Sequence, residues 1–312
     1  MRIYVMDLGS HTFRLLTADV QAGVLTRIQH ASVTVRVVDS DDGTLAPLAI
    51  ERAMEAIAQL LAPLGGIKPI SIATGALRAA PDRGALIDEA RRRFDLAILT
   101  LPTQLAAELT YRAVRAEVVD PDARIAIIDL GGGSLDCILG DRGRVELADS
   151  FPLGVIRLAR RFVGRDMESR VERLVMSHAG ATIEHLRGRE PDEVVLTSGT
   201  ARTLLRVARN LGRVEPVVSC LSTPAVVALA SRLAMINPSE TPVVGVPPER
   251  CDTIAVGAIV LATIVPRLAV PFVRVTHSSL LEGVALQIAA RHGGTLQLPR
   301  VAQAARTSAL HG

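Results

Sequence analysis

Apolar and polar positions along this chain define two similar strand-turn-strand segments. The clearer one spans 123–139, where an apolar run stops at Asp129, passes through Gly131–Gly133 and Ser134, and then resumes. The pattern predicts two strands joined by a tight turn. Glycines let the backbone reach positive φ angles and let successive N–H groups converge on one anion, which favours a phosphate-binding loop. An ordinary glycine-rich hairpin is the alternative that the glycines alone leave open.

The same plan occurs near the N-terminus. Apolar residues lead to Asp7 and Gly9 and then resume, and Asp7 precedes Asp129 by 122 positions. A second pair of strand-and-glycine segments, 70–78 and 194–202, repeats at nearly the same offset. A period this long indicates a duplicated domain rather than a solenoid. We therefore expect two phosphate loops that face each other across an interdomain cleft.

Helical periodicity fills the stretches between these segments. Helices are predicted over 50–61, 85–93, 104–115, 166–186, 247–264 and 280–290, strands over 70–73, 96–101, 194–197 and 270–275, and a polar turn over 39–43. A chain of 312 residues exceeds the size at which one hydrophobic core stops growing, so two domains are expected. We place them at 1–121 and 122–298. The helix near 280–292 is a candidate to complete the first domain, and 299–312 is expected to be a loosely held tail.

Composition narrows the range of partners. Aromatic residues make up 2% of the chain and there is no Trp, which removes a stacking platform for nucleic acid. The net charge of +3 is small for this length. The sequence opens directly with a strand pattern, and its apolar stretch at 254–265 is too short to span a bilayer. We expect a cytoplasmic protein that binds neither nucleic acid nor membrane.

Two further segments are candidates for anion binding. Arg78 follows the strand-and-glycine segment of the first half, and its guanidinium offers a rigid fork of donors suited to phosphate oxygens. An arginine on a helix surface is the alternative. In the second half, Ser198 and Thr200 open a helix whose free N–H groups favour an anion. Simple capping of the helix by Ser or Thr explains the same pattern.

Five elements in order carry a family resemblance. They are Asp7–Leu15, Ala73–Arg78, Asp129–Asp136, Phe151–Leu158 and Pro248–Asp252. Together they resemble the exopolyphosphatase and guanosine pentaphosphate phosphohydrolase (Ppx/GppA) family in its short two-domain form, from Met1 to about Ala290. The resemblance implies an α/β protein of two ribonuclease H-like domains, of the actin, Hsp70 and sugar-kinase type, that flank an interdomain cleft.

The resemblance also implies roles for individual residues. The catalytic residues would be Asp7, Arg78, Asp129 and Asp136, and the phosphate-binding residues Gly9, Ser10, His11, Thr12, Gly131, Gly132, Gly133 and Ser134. Asp7 and Asp129 would hold a Mg²⁺ ion. The expected ligands are inorganic polyphosphate or guanosine penta- and tetraphosphate. The sequence leaves open whether the protein forms a homodimer.

Three departures from the family pattern matter. The family's glutamate that looks like the activator of the attacking water is Ala106 here. Glu108 lies two residues further along a helix and therefore points about 200° away. The glutamate after the glycine loop is Asp136, which keeps the charge but shortens the reach. The asparagine of the first loop is His11, which would bond a phosphate or fill the turn.

These observations leave three hypotheses. The first is a Mg²⁺-assisted hydrolase of terminal phosphoanhydride bonds in polyphosphate or pppGpp. The second, motivated by Ala106, is a regulatory relative that binds these ligands with impaired hydrolysis, since removal of a general base costs about 10² to 10⁴ in rate. The third and weakest is an ATP-dependent kinase or chaperone, because the chain has no room for a peptide-binding domain.

Overall fold

The computed structural model describes residues 1–21, 24–37, 43–45, 47–162, 166–212, 219–236 and 241–291. Most of the predicted turn at 39–43 and the whole predicted tail lie outside these residues. The chain forms two units, and the ranges that follow omit the gaps just given. The first unit comprises 1–116, 132–134 and 278–291, and the second comprises 117–131 and 135–277.

The first unit is a five-stranded mixed sheet with helices on both faces. Its strands are β1 (Arg2–Leu8), β2 (Thr12–Gln21), β3 (Val24–Thr34), β4 (Ile70–Ala73) and β5 (Ile98–Thr100), and its helices are α1 (Pro47–Leu61), α2 (Gly75–Ala79), α3 (Arg83–Phe94), α4 (Thr103–Arg115) and α10 (Leu280–Arg291). The strand order is β3-β2-β1-β4-β5. β1 is antiparallel to β2 and parallel to β4, and β5 continues parallel to β4.

Alternation along β1 explains the two helical layers, because successive side chains of a strand point to opposite faces. Met6 and Leu8 are buried in one core together with residues of α1 and α3. Ile3 and Val5 are buried in the other core together with residues of α4 and α10. The packing of α10 against α4 is close, since a Cβ atom on Gly283 would lie 2.0 Å from the carbonyl oxygen of Leu109.

The second unit repeats this plan with one additional strand. Its strands are β6 (Ile125–Leu130), β7 (Leu135–Asp141), β8 (Arg144–Phe151), β9 (Glu193–Thr197), β10 (Cys220–Ser222) and β11 (Phe272–Val275), and its helices are α5 (Val155–Arg161), α6 (Met167–Gly188), α7 (Gly199–Asn210), α8 (Thr223–Ile236) and α9 (Ile254–Ile264). The sheet order is β10-β11-β9-β6-β7-β8. From β8 to β11 the order and the strand directions are those of the first sheet. The predicted duplication is therefore confirmed at the level of topology.

Most predicted elements are present with small shifts at their ends, and one helix starts later than predicted. The helix expected from Pro247 begins at Ile254, after a short 3-10 helix over Pro248–Arg250. Pro248 disfavours helical backbone at the residue before it, and Pro247 is extended with a ψ angle of 150°, so the chain enters the 3-10 helix from an extended segment. Among the described residues, no helix combines the length and the apolar character needed to cross a membrane.

Candidate active site

Asp7 is the buried carboxylate at the end of β1. It lies directly across from Arg14 on β2, whose guanidinium nitrogen is 3.9 Å from Asp7 Oδ2. Asp7 is only 5% exposed, and its Oδ1 accepts a 2.6 Å hydrogen bond from the hydroxyl of Thr74. Burial raises the pKa of Asp7 and the nearby Glu282 adds to the rise, while Arg14 and Thr74 oppose it. Keeping Asp7 ionised at this buried position therefore has an energetic cost.

The turn between β1 and β2 contains Gly9, Ser10 and His11, and Thr12 begins β2; these are the predicted phosphate-binding residues of the first unit. Ser10 and His11 are buried, and their backbone carbonyls accept hydrogen bonds from the amides of residues 35–37. A Cβ atom on Gly9 would lie 2.9 Å from the carbonyl oxygen of Thr12. The turn is thus tightly packed, and only glycine fits at its first position.

The turn between β4 and α2 meets this first loop. The amide of Thr74 donates to the carbonyl of Leu8 at 3.1 Å. Gly75 has a φ angle of 54°, and a Cβ atom on it would lie 2.9 Å from the hydroxyl of Ser10. Arg78 follows in α2 and is half-buried, and no carboxylate among the described residues is paired with its guanidinium. The first unit therefore brings Asp7 and the Thr74–Arg78 segment together.

The second unit places two carboxylates at the corresponding strand ends. Asp129 on β6 and Asp136 on β7 are direct partners in the antiparallel register. Directly opposed residues project from the same face of a sheet with Cβ atoms about 4.5–5.5 Å apart. The hydroxyl of Ser150 donates a hydrogen bond to Asp136 Oδ1. The register therefore places two acidic side chains on one face of the sheet.

The glycine loop that follows Asp129 differs from its prediction in one respect. Gly131, Gly132, Gly133 and Ser134 are half-buried. The described residues with positive φ angles include Gly75 and Ser198 but none of Gly131–Gly133. The expected left-handed backbone at these glycines is therefore wrong. The carbonyl of Gly131 accepts a 3.0 Å hydrogen bond from the amide of Val155, which fixes the loop against the start of α5.

The N-terminal end of α7 does not form an open anion-binding site. Ser198 is the capping residue, with its hydroxyl accepting a 3.4 Å bond from the amide three residues on. Thr200 instead donates to the carbonyl of Leu130 at 3.2 Å, so it is not the cap. The guanidinium of Arg250 lies against Gly199, where a Cβ atom would be 1.9 Å from its nearest nitrogen. A cation of the chain itself therefore covers this helix end.

The position of the family's missing glutamate lies in the first turn of α4. Ala106 is half-buried there. Glu108 is exposed and accepts a 3.3 Å hydrogen bond from the amide group of Gln104. Glu108 therefore belongs to the solvent-facing side of the helix, in agreement with the predicted angular separation from Ala106.

Sequence reasoning missed Glu282, a buried carboxylate in the first turn of α10. Glu282 is 2% exposed, and its Oε2 accepts bonds from the amide and hydroxyl of Ser279 at 2.7 and 2.8 Å. Its Oε1 lies 3.2 Å from His30 Nε2 on β3. Burial raises the pKa of Glu282, but the bonds from His30 and Ser279 outweigh it, so the pKa is below its ordinary value. The Ser-x-x-Glu spacing before an apolar helix was the available signal.

The acidic side chains of the site determine how a metal ion could bind. Within the described parts of the chain, no group of three or more His, Cys, Asp or Glu side chains is arranged to enclose a metal. Mg²⁺ is usually bound through only one or two carboxylates together with water and substrate phosphates. The opposed pair of Asp129 and Asp136 fits that mode of binding.

Comparison with known proteins gives consistent matches. A model of the Ppx/GppA phosphatase family matches residues 16–292. The uncharacterized protein SCO0757 of Streptomyces coelicolor is 33% identical over 220 residues, which cover 66% of this chain and 65% of that protein. Exopolyphosphatase 1 of Mycobacterium tuberculosis is 28% identical over 305 residues, which cover 92% of this chain and 88% of that protein.

A solved structure supports the fold. The crystal structure of an exopolyphosphatase from Cytophaga hutchinsonii superposes with a TM-score of 0.83 at 21% identity, and covers 95% of this chain and 100% of that one. This likeness and the repeated sheet order confirm the predicted α/β fold with two ribonuclease H-like units.

Proposed function

The chain belongs to the Ppx/GppA phosphatase family, and we propose that it hydrolyses the terminal phosphoanhydride bond of inorganic polyphosphate, with pppGpp as the second candidate substrate. Polyphosphate is placed first because several similar proteins are named exopolyphosphatases. Both ligands present a terminal phosphoanhydride, so the same loops would suit either one.

This proposal rests chiefly on the guanidinium of Arg78 and its lack of a carboxylate partner among the described residues. A half-buried guanidinium without a carboxylate partner among the described residues retains its full capacity to bind an anion. Arg78 lies one helical turn after Thr74, the residue that bonds Asp7. In this proposal Arg78 binds oxygens of the terminal phosphate through its fork of N–H donors and stabilises the charge that develops during transfer.

Asp129 and Asp136 would hold Mg²⁺ in the second unit, and Asp7 is the corresponding candidate in the first. A bound Mg²⁺ would neutralise phosphate oxygens and polarise the bond that breaks. The opposed positions of Asp129 and Asp136 support this assignment, because the register places both acidic side chains on one face of the sheet. The predicted phosphate-binding residues of the first loop, Gly9 to Thr12, and of the second, Gly131 to Ser134, would supply hydrogen-bond donors to the phosphate chain.

Ala106 favours a second candidate function, a regulatory protein that binds polyphosphate or guanosine polyphosphates with little hydrolysis. The residue removes a carboxylate where the family uses one, and Glu108 faces solvent. Loss of a general base leaves binding intact while lowering the rate by about 10² to 10⁴.

A substrate panel tests the proposal. Phosphate release is measured with Mg²⁺ and with long-chain polyphosphate, pppGpp and ATP as substrates, and equilibrium binding of each is measured in parallel without added metal. Preferred release from polyphosphate supports the proposed function. Tight binding of polyphosphate without release supports the regulatory candidate, whereas preference for ATP contradicts both.

A further inference from the structure

Two exposed arginines of the second unit share one aromatic ring. Arg161 is the last residue of α5, and Arg170 lies in the first turn of α6. Their guanidinium carbons lie 5.5 and 5.1 Å from the centre of the Phe162 ring, and the ring itself is buried. The ring thus gathers two positive charges onto one small area of surface.

The two guanidiniums form no hydrogen bond or ion pair with the part of the chain that the structure describes, and each contacts the ring of Phe162. Asp166 and Glu168 precede Arg170 in the chain, but neither is ion-paired with Arg161 or Arg170. Glu172 on α6 is instead bonded by Arg267 at 2.5 Å. The intervening segment 163–165 lies outside the described residues, and its sequence, Val-Gly-Arg, contains no carboxylate.

Stacking prepares both side chains for an anion. A cation held over an aromatic face is attracted to the ring, which reduces the freedom that an arginine loses when it binds a ligand. The planar guanidinium retains N–H donors for phosphate oxygens. An anion that bridges the two groups would also relieve their mutual repulsion.

We propose that Arg161 and Arg170, stacked on Phe162, form an anchoring site for an extended polyphosphate chain. This inference rests on the proposed function, and it adds a contact made by residues other than those assigned to hydrolysis. A linear polyphosphate carries charge along its whole length, so a second contact raises the effective concentration of long chains but not of short ones. Nucleic acid is a poorer ligand, because the one ring at this site is buried and covered by arginines and cannot stack on bases.

The test compares two double variants that lose the same charge. Arg161→Ala/Arg170→Ala removes the site, whereas Arg144→Ala/Arg187→Ala removes two exposed arginines elsewhere in the second unit. Equilibrium binding of long-chain polyphosphate and of tripolyphosphate is measured at several salt concentrations without added divalent cation. Thermal unfolding of each variant verifies that it is folded, and Phe162→Leu, which removes the stacking ring and keeps both charges, serves as an independent variant.

The proposal expects Arg161→Ala/Arg170→Ala to weaken long-chain binding by at least about fivefold and to reduce its salt dependence, with tripolyphosphate binding unchanged. Phe162→Leu should weaken long-chain binding to a smaller extent, and the control should bind like the parent. Unchanged long-chain binding in the site variant overturns the anchoring site and leaves the proposed function standing. An equal loss of affinity for long-chain polyphosphate and for tripolyphosphate also overturns the anchoring site.

Failure of the proposed function gives a different result. If the parent binds neither polyphosphate, the proposed function fails and the anchoring site fails with it. The protein is also offered single-stranded RNA and vesicles rich in phosphatidylserine. If either binds more tightly than polyphosphate, and that binding is lost in Arg161→Ala/Arg170→Ala, the result contradicts the ligand assigned to the site.

Discussion

Asp136 lies directly across from Asp129 on the neighbouring antiparallel strand, whereas the same position of the first sheet pairs Arg14 with Asp7. The duplicated strands therefore differ in charge at one register position. The first pair is an ion pair at 3.9 Å, and the second brings two carboxylates together. Like charges directly opposed on a sheet are destabilising, and the proposed function places a cation at this second pair.

Asp136→Asn should therefore remove much of the stabilisation that Mg²⁺ gives the parent. The neutral amide is a weaker ligand for a divalent cation than a carboxylate. Thermal unfolding with and without Mg²⁺ measures this effect. Asp122→Asn, at an exposed aspartate, is the control. An equal response of parent and variant to Mg²⁺ would show that the pair does not bind the metal.

Gly75→Ala should destabilise the first unit by about 1–3 kcal/mol and reduce phosphate release. Alanine at a φ angle of 54° is strained, and its Cβ would lie 2.9 Å from the Ser10 hydroxyl in the first loop. Gly84→Ala in α3 is the matched control, because a Cβ there has open space and alanine favours a helix. Urea unfolding compares the two variants. Equal stability of Gly75→Ala and Gly84→Ala would refute the close packing of the two turns.

Glu282→Gln should lower the free energy of unfolding by about 1–3 kcal/mol at neutral pH, since the two bonds from Ser279 favour the ionised carboxylate. The folded-state pKa of Glu282 is below its ordinary value, so its contribution is present above about pH 4.3 and is lost as the pH falls through the folded-state pKa. Urea unfolding at neutral and acidic pH checks this sign. A difference between parent and variant that widens in acid would contradict it.

Ala106→Glu should raise hydrolysis by at least roughly tenfold if this position still serves the chemistry, because it restores a general base. Binding of polyphosphate should change little or weaken through repulsion. Glu108→Gln, on the solvent-facing side of α4, should leave the parent rate unchanged and serves as the control. Brisk hydrolysis by the parent that Ala106→Glu does not increase would mean that another group acts as the base.

Apolar runs such as Ile125–Leu130 predicted the central strands of both sheets, whereas β3, β8 and β10 were not predicted. The Asp7 loop and the Thr74–Arg78 segment were each identified from the sequence, and the parallel pairing of β1 with β4 brings them to one sheet edge. Local chemistry explains why no helix continues ahead of Pro248, because a proline disfavours helical backbone at the residue before it.

Contacts between residues distant in sequence could not be predicted. The guanidinium of Arg250 covers Gly199, and His30 pairs with Glu282, only because the fold brings separate elements together. The backbone of Gly131–Gly133 was predicted wrongly for a related reason. A run of glycines permits positive φ angles but does not require them, and the hydrogen bond between Val155 and Gly131 helps to fix the loop.

The most direct test of the account is steady-state phosphate release from long-chain polyphosphate in the presence of Mg²⁺, with the parent, Arg78→Ala and Arg78→Lys compared at equal concentration. The account predicts release by the parent and a loss of at least about 100-fold in Arg78→Ala, with only partial recovery in Arg78→Lys because an ammonium cannot reproduce the bidentate fork. Thermal unfolding should be nearly unchanged in both variants. Absence of release by the parent, or release by Arg78→Ala at the parent rate, would contradict the central claim.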